Sequence, residues 1–122
     1  MIDFKIGTNS AFKLSKEELK LSNILPLLIE GENIIGVYAT PTFPVIFTDK
    51  RIIINTPFRK KNDYTSLPYS KITAFSVKTS GGYNTDSGLE LYFTGLGRIE
   101  FEFSGASDII EIEKCIAQYA LK

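Results

Sequence analysis

The sequence predicts a mainly β domain, in which seven antiparallel strands bend into a barrel that carries a C-terminal capping helix and an extra N-terminal helix. Three observations carry that expectation. Leu89, Leu91 and Phe93 alternate with Glu90, Tyr92 and Thr94, and Ile99, Phe101 and Phe103 alternate with Arg98, Glu100 and Glu102. A period of two puts one face of a strand in a core and the other in water. Short turn signals, Gly95-Leu96-Gly97 among them, separate the apolar runs closely enough for antiparallel pairing. Finally, Ile109, Ile112, Ile116 and Tyr119 fall on one side of a terminal helix.

Taken in chain order, the first helix is expected to start at Ser15, which has capping-box spacing to Glu18. Leu21, Ile24, Leu25 and Leu28 then form an apolar stripe, and Gly31 ends the segment. Pro26 lacks an amide hydrogen and clashes with the preceding turn, so a kink or break is expected near Leu25. Strands are expected at 34–40, 44–48, 51–56, 63–69, 71–79, 89–94 and 98–103. The last helix begins near Ser107 or Asp108, both good N-caps, with Asp108, Glu111 and Glu113 complementing its dipole. Seven short-linked strands with one amphipathic helix fit a barrel or bent sandwich with the helix over an open end. Residues 1–30 are read as an N-terminal extension belonging to the same domain as the barrel at 31–122.

A chain of 122 residues fits one domain at roughly 150 residues each. Lys plus Arg and Asp plus Glu are 14 each, so the net charge is zero, and the basic excess of a nucleic-acid binder is missing. Nucleic acid is therefore not an expected partner. The single cysteine, Cys115, excludes an intrachain disulfide and points to a reducing compartment. Met1 to Leu14 has no continuous apolar stretch, and no apolar run approaches the roughly 20 residues of a membrane span. A cytoplasmic location is the expectation.

Histidine is absent, which removes the commonest general base, the serine and cysteine triads and most zinc sites. No catalytic residue, metal ligand or cofactor is expected, and the chain is not read as an enzyme. Cys115 lies one step from the Ile112–Ile116 stripe and reads as a small half-buried hydrophobe. Glu100 and Glu102 share the outward face of a strand and read as solvated. Ser80-Gly81-Gly82 and Gly95-Leu96-Gly97 read as turns, since neither leads into the helix that a phosphate loop needs. Two surfaces are left for binding. One is the polar loop 79–88, which contains Tyr83. The other is a basic patch of Arg59, Lys60 and Lys61, joined by Lys50 and Arg51 from a neighbouring turn. Ile53 raises a separate question. In Ile52-Ile53-Ile54 one face is left over, and it needs cover from the N-terminal helix or from a neighbouring protomer.

Three stretches resemble the bacterial pleckstrin-homology-like (PH-like) domains: Leu28–Glu32, the hairpin Phe47–Ile54, and above all Ser66-Leu67-Pro68-Tyr69-Ser70-Lys71-Ile72-Thr73-Ala74-Phe75-Ser76-Val77. The resemblance implies a seven-stranded barrel with a C-terminal helix. It also implies a cyclic homo-oligomer, a pentamer for single-domain members. Its usual role is protein–protein interaction, with an unknown protein partner, on a polar surface where strands of neighbouring protomers meet. The chain departs from the family at Tyr92, where tryptophan is common, and at Gly88, where a charge is common. Relatives that bind phosphoinositides carry cations in the first strand–strand loop. Here that loop is Thr40-Pro41-Thr42-Phe43-Pro44, which has none. A non-catalytic, self-associating interaction module is therefore the expected function. The alternative is a peripheral module that recognises anionic lipid or another polyanion through the basic patch, and a membrane surface is the less favoured partner.

Overall fold

The computed structural model describes residues 10–18, 20–79 and 85–121. The strands are β1 (Ser10–Lys16), β2 (Ile34–Ala39), β3 (Pro44–Thr48), β4 (Arg51–Phe58), β5 (Lys61–Pro68), β6 (Ile72–Thr79), β7 (Ser87–Phe93) and β8 (Gly97–Ser104). Helix α1 (Ile109–Ala120) follows them. All eight strands form one curled sheet in the order β5-β4-β3-β2-β1-β8-β7-β6. Seven of them lie within two residues of the strands expected from the sequence.

The N-terminus differs from the expectation. Among the described residues there is one α-helix, α1, and no helix starts at Ser15. Residues 10–16 are instead a strand whose Leu14 is buried and whose Lys13 and Ser15 are exposed. β1 runs parallel to β8, from Ser10↔Ile99 to Ser15↔Ser104, and antiparallel to β2 at its end. Its backbone thus pairs on both sides and joins two half-sheets that would otherwise each end in an open edge. The stripe further on forms a single 3-10 turn, Leu25–Leu27, with Pro26 in its first positions. Pro26 is tolerated there, but it cannot serve the interior of a longer helix.

Two cores follow from the pleat. Inside the curl, Leu14, Tyr38, Phe47, Ile52, Ile54, Leu89, Leu91, Ile99, Phe101 and Phe103 pack with Ile109, Ile112 and Ile116 of α1. Edge-to-face contacts among Tyr38, Phe47, Phe101 and Phe103 give this core its aromatic centre. Outside the curl, Ile24 lies over Ile46 and Ile53, flanked by Leu28, Ile34, Val37 and Tyr64. Helix α1 is docked by its N-cap. The Tyr38 hydroxyl donates to Asp108 Oδ2 at 2.7 Å and accepts from the Asp108 amide at 2.8 Å. Gly36 makes room for this pair, because a Cβ there would come within 2.6 Å of the Tyr38 ring and 2.7 Å of Asp108 Oδ2.

Candidate functional site

The five cations expected to form one patch stand at opposite ends of β4. Lys50 lies in the β3–β4 turn and Arg51 begins β4, whereas Arg59 and Lys60 form the β4–β5 turn and Lys61 begins β5. An eight-residue strand separates the two groups, roughly 25 Å at 3.3 Å per residue. The structure therefore brings three of the five together and sets the other two apart. Lys50 donates to the Tyr119 hydroxyl at 3.0 Å and lies over that ring, so it ties the turn to the end of α1. The bond to Tyr119 holds its ammonium above the ordinary value.

Arg51 is bound into the fold. Its Nε reaches Glu32 Oε2 at 2.9 Å and its Nη2 reaches Oε1 at 3.0 Å. The same Nη2 bonds the Leu27 carbonyl at 2.7 Å, and Nη1 bonds Ser66 Oγ at 3.1 Å. Glu32 is buried and also accepts from Thr48 Oγ1 at 2.7 Å and from the Ile29 amide at 3.1 Å. Burial opposes its charge. The hydrogen bonds from Arg51, Thr48 and Ile29, together with the guanidinium charge, outweigh that and hold the carboxyl below its ordinary value. This network clips the segment 27–32 to the outer face of β3 and β4. Ile53 is consequently covered within its own chain, fully buried beneath Ile24.

The segment that covers Ile53 has a second side. Leu25, Leu27 and Ile29 are 56%, 38% and 60% exposed, in five consecutive residues pinned from beneath. Through Tyr64 and Ser66 the segment lies beside β5, an end strand of the sheet among the described residues. At the far end of β5, Arg59 and Lys60 have φ of 50° and 59°. Positive φ at both positions of a two-residue hairpin loop is the type I′ signature, which favours Asn-Gly. Two cations hold it here, at a cost in backbone strain.

On the opposite flank, an ionic ladder that the sequence did not single out crosses the outer face of β6, β7 and β8. Arg98 bridges Glu90 at 2.8 Å and Glu100 at 2.6 Å, and Lys78 meets Glu90 at 2.6 Å. The bonds from Arg98 and Lys78 depress the Glu90 carboxyl to about 2. The alternation places Glu90, Arg98 and Glu100 outward but does not show which side chains meet across strands. Gly88 lies in the row between Lys78 and Glu102 and leaves a shallow depression of about 410 Å³. Of the loop 79–88, residues 80–84, Tyr83 included, lie outside the described residues.

Among the described residues no group of three or more Cys, Asp or Glu side chains is placed to hold a metal. Burial raises the Cys115 thiol above its ordinary value, as suits a packing residue in α1. No helix among the described residues is long and apolar enough to cross a membrane.

The chain matches the family model for the bacterial PH domain over residues 4–120. It is 31% identical over 121 residues to the uncharacterized protein YjqA of Bacillus subtilis, covering 95% of this chain and 94% of that one. It is 35% identical over 95 residues to the uncharacterized YozO of the same organism, covering 76% and 82%. Among solved structures it resembles a DUF1696 family protein with a pleckstrin-homology domain from Shewanella loihica, with a TM-score of 0.66 and 27% identity. That match covers 89% of this chain and 98% of the other. A pleckstrin homology domain from Shewanella amazonensis matches with a TM-score of 0.56 and 31% identity, covering 84% and 86%.

The Glu32 network makes stability depend on pH with a definite sign. A carboxyl whose folded pKa lies below its ordinary 4.5 contributes stability that is fully present above that value and is lost as pH falls through the folded pKa. The gap in unfolding free energy between wild type and Glu32→Gln should be widest near neutral pH and narrow below about pH 4.5, read from denaturant titrations. A gap that stays constant down to about pH 3 would contradict the assignment.

Proposed function

The chain belongs to the bacterial PH domain family, and from that premise we propose that it is a non-catalytic, homo-oligomeric binding module that mediates protein–protein interaction in the cytoplasm. The observation that carries the reading is the exposed run Leu25, Leu27 and Ile29 on a pinned turn beside β5. Apolar side chains clustered on a rigid support mark an interaction site rather than ordinary scatter. A second copy is the occupant we assign to this surface, since its own exposed run covers Leu25, Leu27 and Ile29. Closing that contact into a ring lets every protomer use it without unlimited growth. A pentamer is the ring size that the sequence resemblance implies.

A second reading, recognition of anionic lipid or another polyanion, keeps one observation in its favour. Arg59 and Lys60 occupy a turn whose backbone favours Asn-Gly, and Lys61 stands next to them. In this reading the patch is those three residues, without Lys50 and Arg51.

Light scattering coupled to gel filtration tests the first reading. Wild type is expected as one discrete oligomer, and Leu25→Ser with Ile29→Ser as a folded monomer. A wild-type monomer across a wide concentration range overturns it. For the second reading, Arg59→Asn with Lys60→Gly is expected to raise stability by about 1–2 kcal/mol while lowering binding to phosphatidylserine vesicles. No vesicle binding by wild type at low salt retires that reading.

A further inference from the structure

Among the described residues the sheet ends in β5 and β6, and the two are not alike. β5 begins at Lys61, carries Asp63, ends in Pro68 and lies beside the Leu25–Ile29 segment. Charges and proline blunt an edge strand. β6 has eight residues, and among the described residues it pairs with β7 alone. It contains no proline, and its one register shift lies at its start, between Ile72 and Ala74. From Ala74 to Val77 it has no charge at all. Among the described residues such a strand presents amides and carbonyls without a strand partner along its outer side.

The side chains of β6 differ on its two faces. Phe75 and Val77 pair with Leu91 and Leu89 and point into the core, yet both are only half-buried, and among the described residues no strand lies beyond them. Ser76 and Lys78 pair with Glu90 and Gly88 on the outer face and are exposed. Charge along the edge has one sign. From Tyr69 to Thr79 the ionisable charges are Lys71 and Lys78, with no acid among them. Lys78 shares its ammonium with Glu90 but remains 60% exposed.

We propose that the free edge of β6 is the docking site for an extended acidic segment of a partner protein, which adds to the sheet as a further strand. This rests on the reading of the chain as a protein-binding module. Main-chain pairing supplies the affinity of such a complex, and the alternating side chains supply its selectivity. On one face the segment carries apolar residues that cover Phe75 and Val77. On the other it carries carboxylates toward Lys71 and Lys78, which steer its approach. The β5 edge of a second copy is the poorer match, because it offers Lys61 with Asp63 and ends in Pro68.

The test uses the full chain labelled with nitrogen-15 and a capped nine-residue peptide of alternating valine and threonine with a glutamate near each end. The expected result is a set of amide shifts concentrated on 72–79, with slowed exchange at every second β6 amide. The same peptide with lysine for glutamate should bind at least about tenfold more weakly, and Lys71→Glu with Lys78→Glu should reverse that preference. Shifts confined to other elements, or none at millimolar peptide, overturn the proposal. So does concentration-dependent protection of the β6 amides without peptide, which assigns the edge to a second copy. Failure of the peptide to bind an intact oligomer overturns this docking site and leaves the assembly reading standing.

Discussion

A carboxylate that gives up water must be met by donors on every side, and Glu32 is met by four. Its partner Arg51 supplies two of them and then reaches on to the Leu27 carbonyl and to Ser66. One guanidinium thus binds β5, the start of β4 and the N-terminal segment into a single unit. The planar fork suits this work, since a lysine has one nitrogen and cannot meet both carboxylate oxygens and a carbonyl in the same plane. Removing one partner of such a pair leaves a buried charge unmatched, at about 3–5 kcal/mol.

What the pair holds in place is the cover of the second core. Without Ile24 above them, Ile46 and Ile53 would form an apolar patch on the outside of the sheet. With Ile24 seated, Leu25, Leu27 and Ile29 are left facing outward on a turn that cannot fold away. The same constraint therefore closes one apolar surface and presents another. In the middle of the sheet, β1 does comparable work for the backbone by filling the gap between β2 and β8. The sheet then has two ends, β5 and β6, and the asymmetry between those ends organises the functional reading.

Seven strands and α1 are legible because their apolar runs, turn signals and helical spacing are local, and Phe101 beside Glu102 is the plainest case. β1 was not, although Phe12 and Leu14 do alternate with Lys13 and Ser15. Its partner in the parallel pairing lies almost ninety residues away, and the Ser15–Glu18 spacing offered a local alternative that tertiary pairing overrode. The stripe Leu21, Ile24, Leu25, Leu28 looked helical, but Pro26 limits it to one turn, which buries Ile24 and turns Leu25 outward. Arg51 looked like a surface cation for a similar reason. The residue that engages it stands nineteen positions earlier, and no spacing rule connects the two. The leftover Ile53 was legible as a problem of cover, and its own chain supplies the cover.

The central claim is that the Glu32–Arg51 pair is what keeps Ile24 seated on Ile53. A double-mutant cycle tests it most directly, with denaturant unfolding of wild type, Glu32→Gln, Ile24→Ala and the double variant. If the pair holds the segment down, Ile24 has already lost its seat once the carboxylate is gone. The double variant should then lose at least about 1 kcal/mol less than the sum of the single losses. Additivity within about 0.5 kcal/mol would contradict the account.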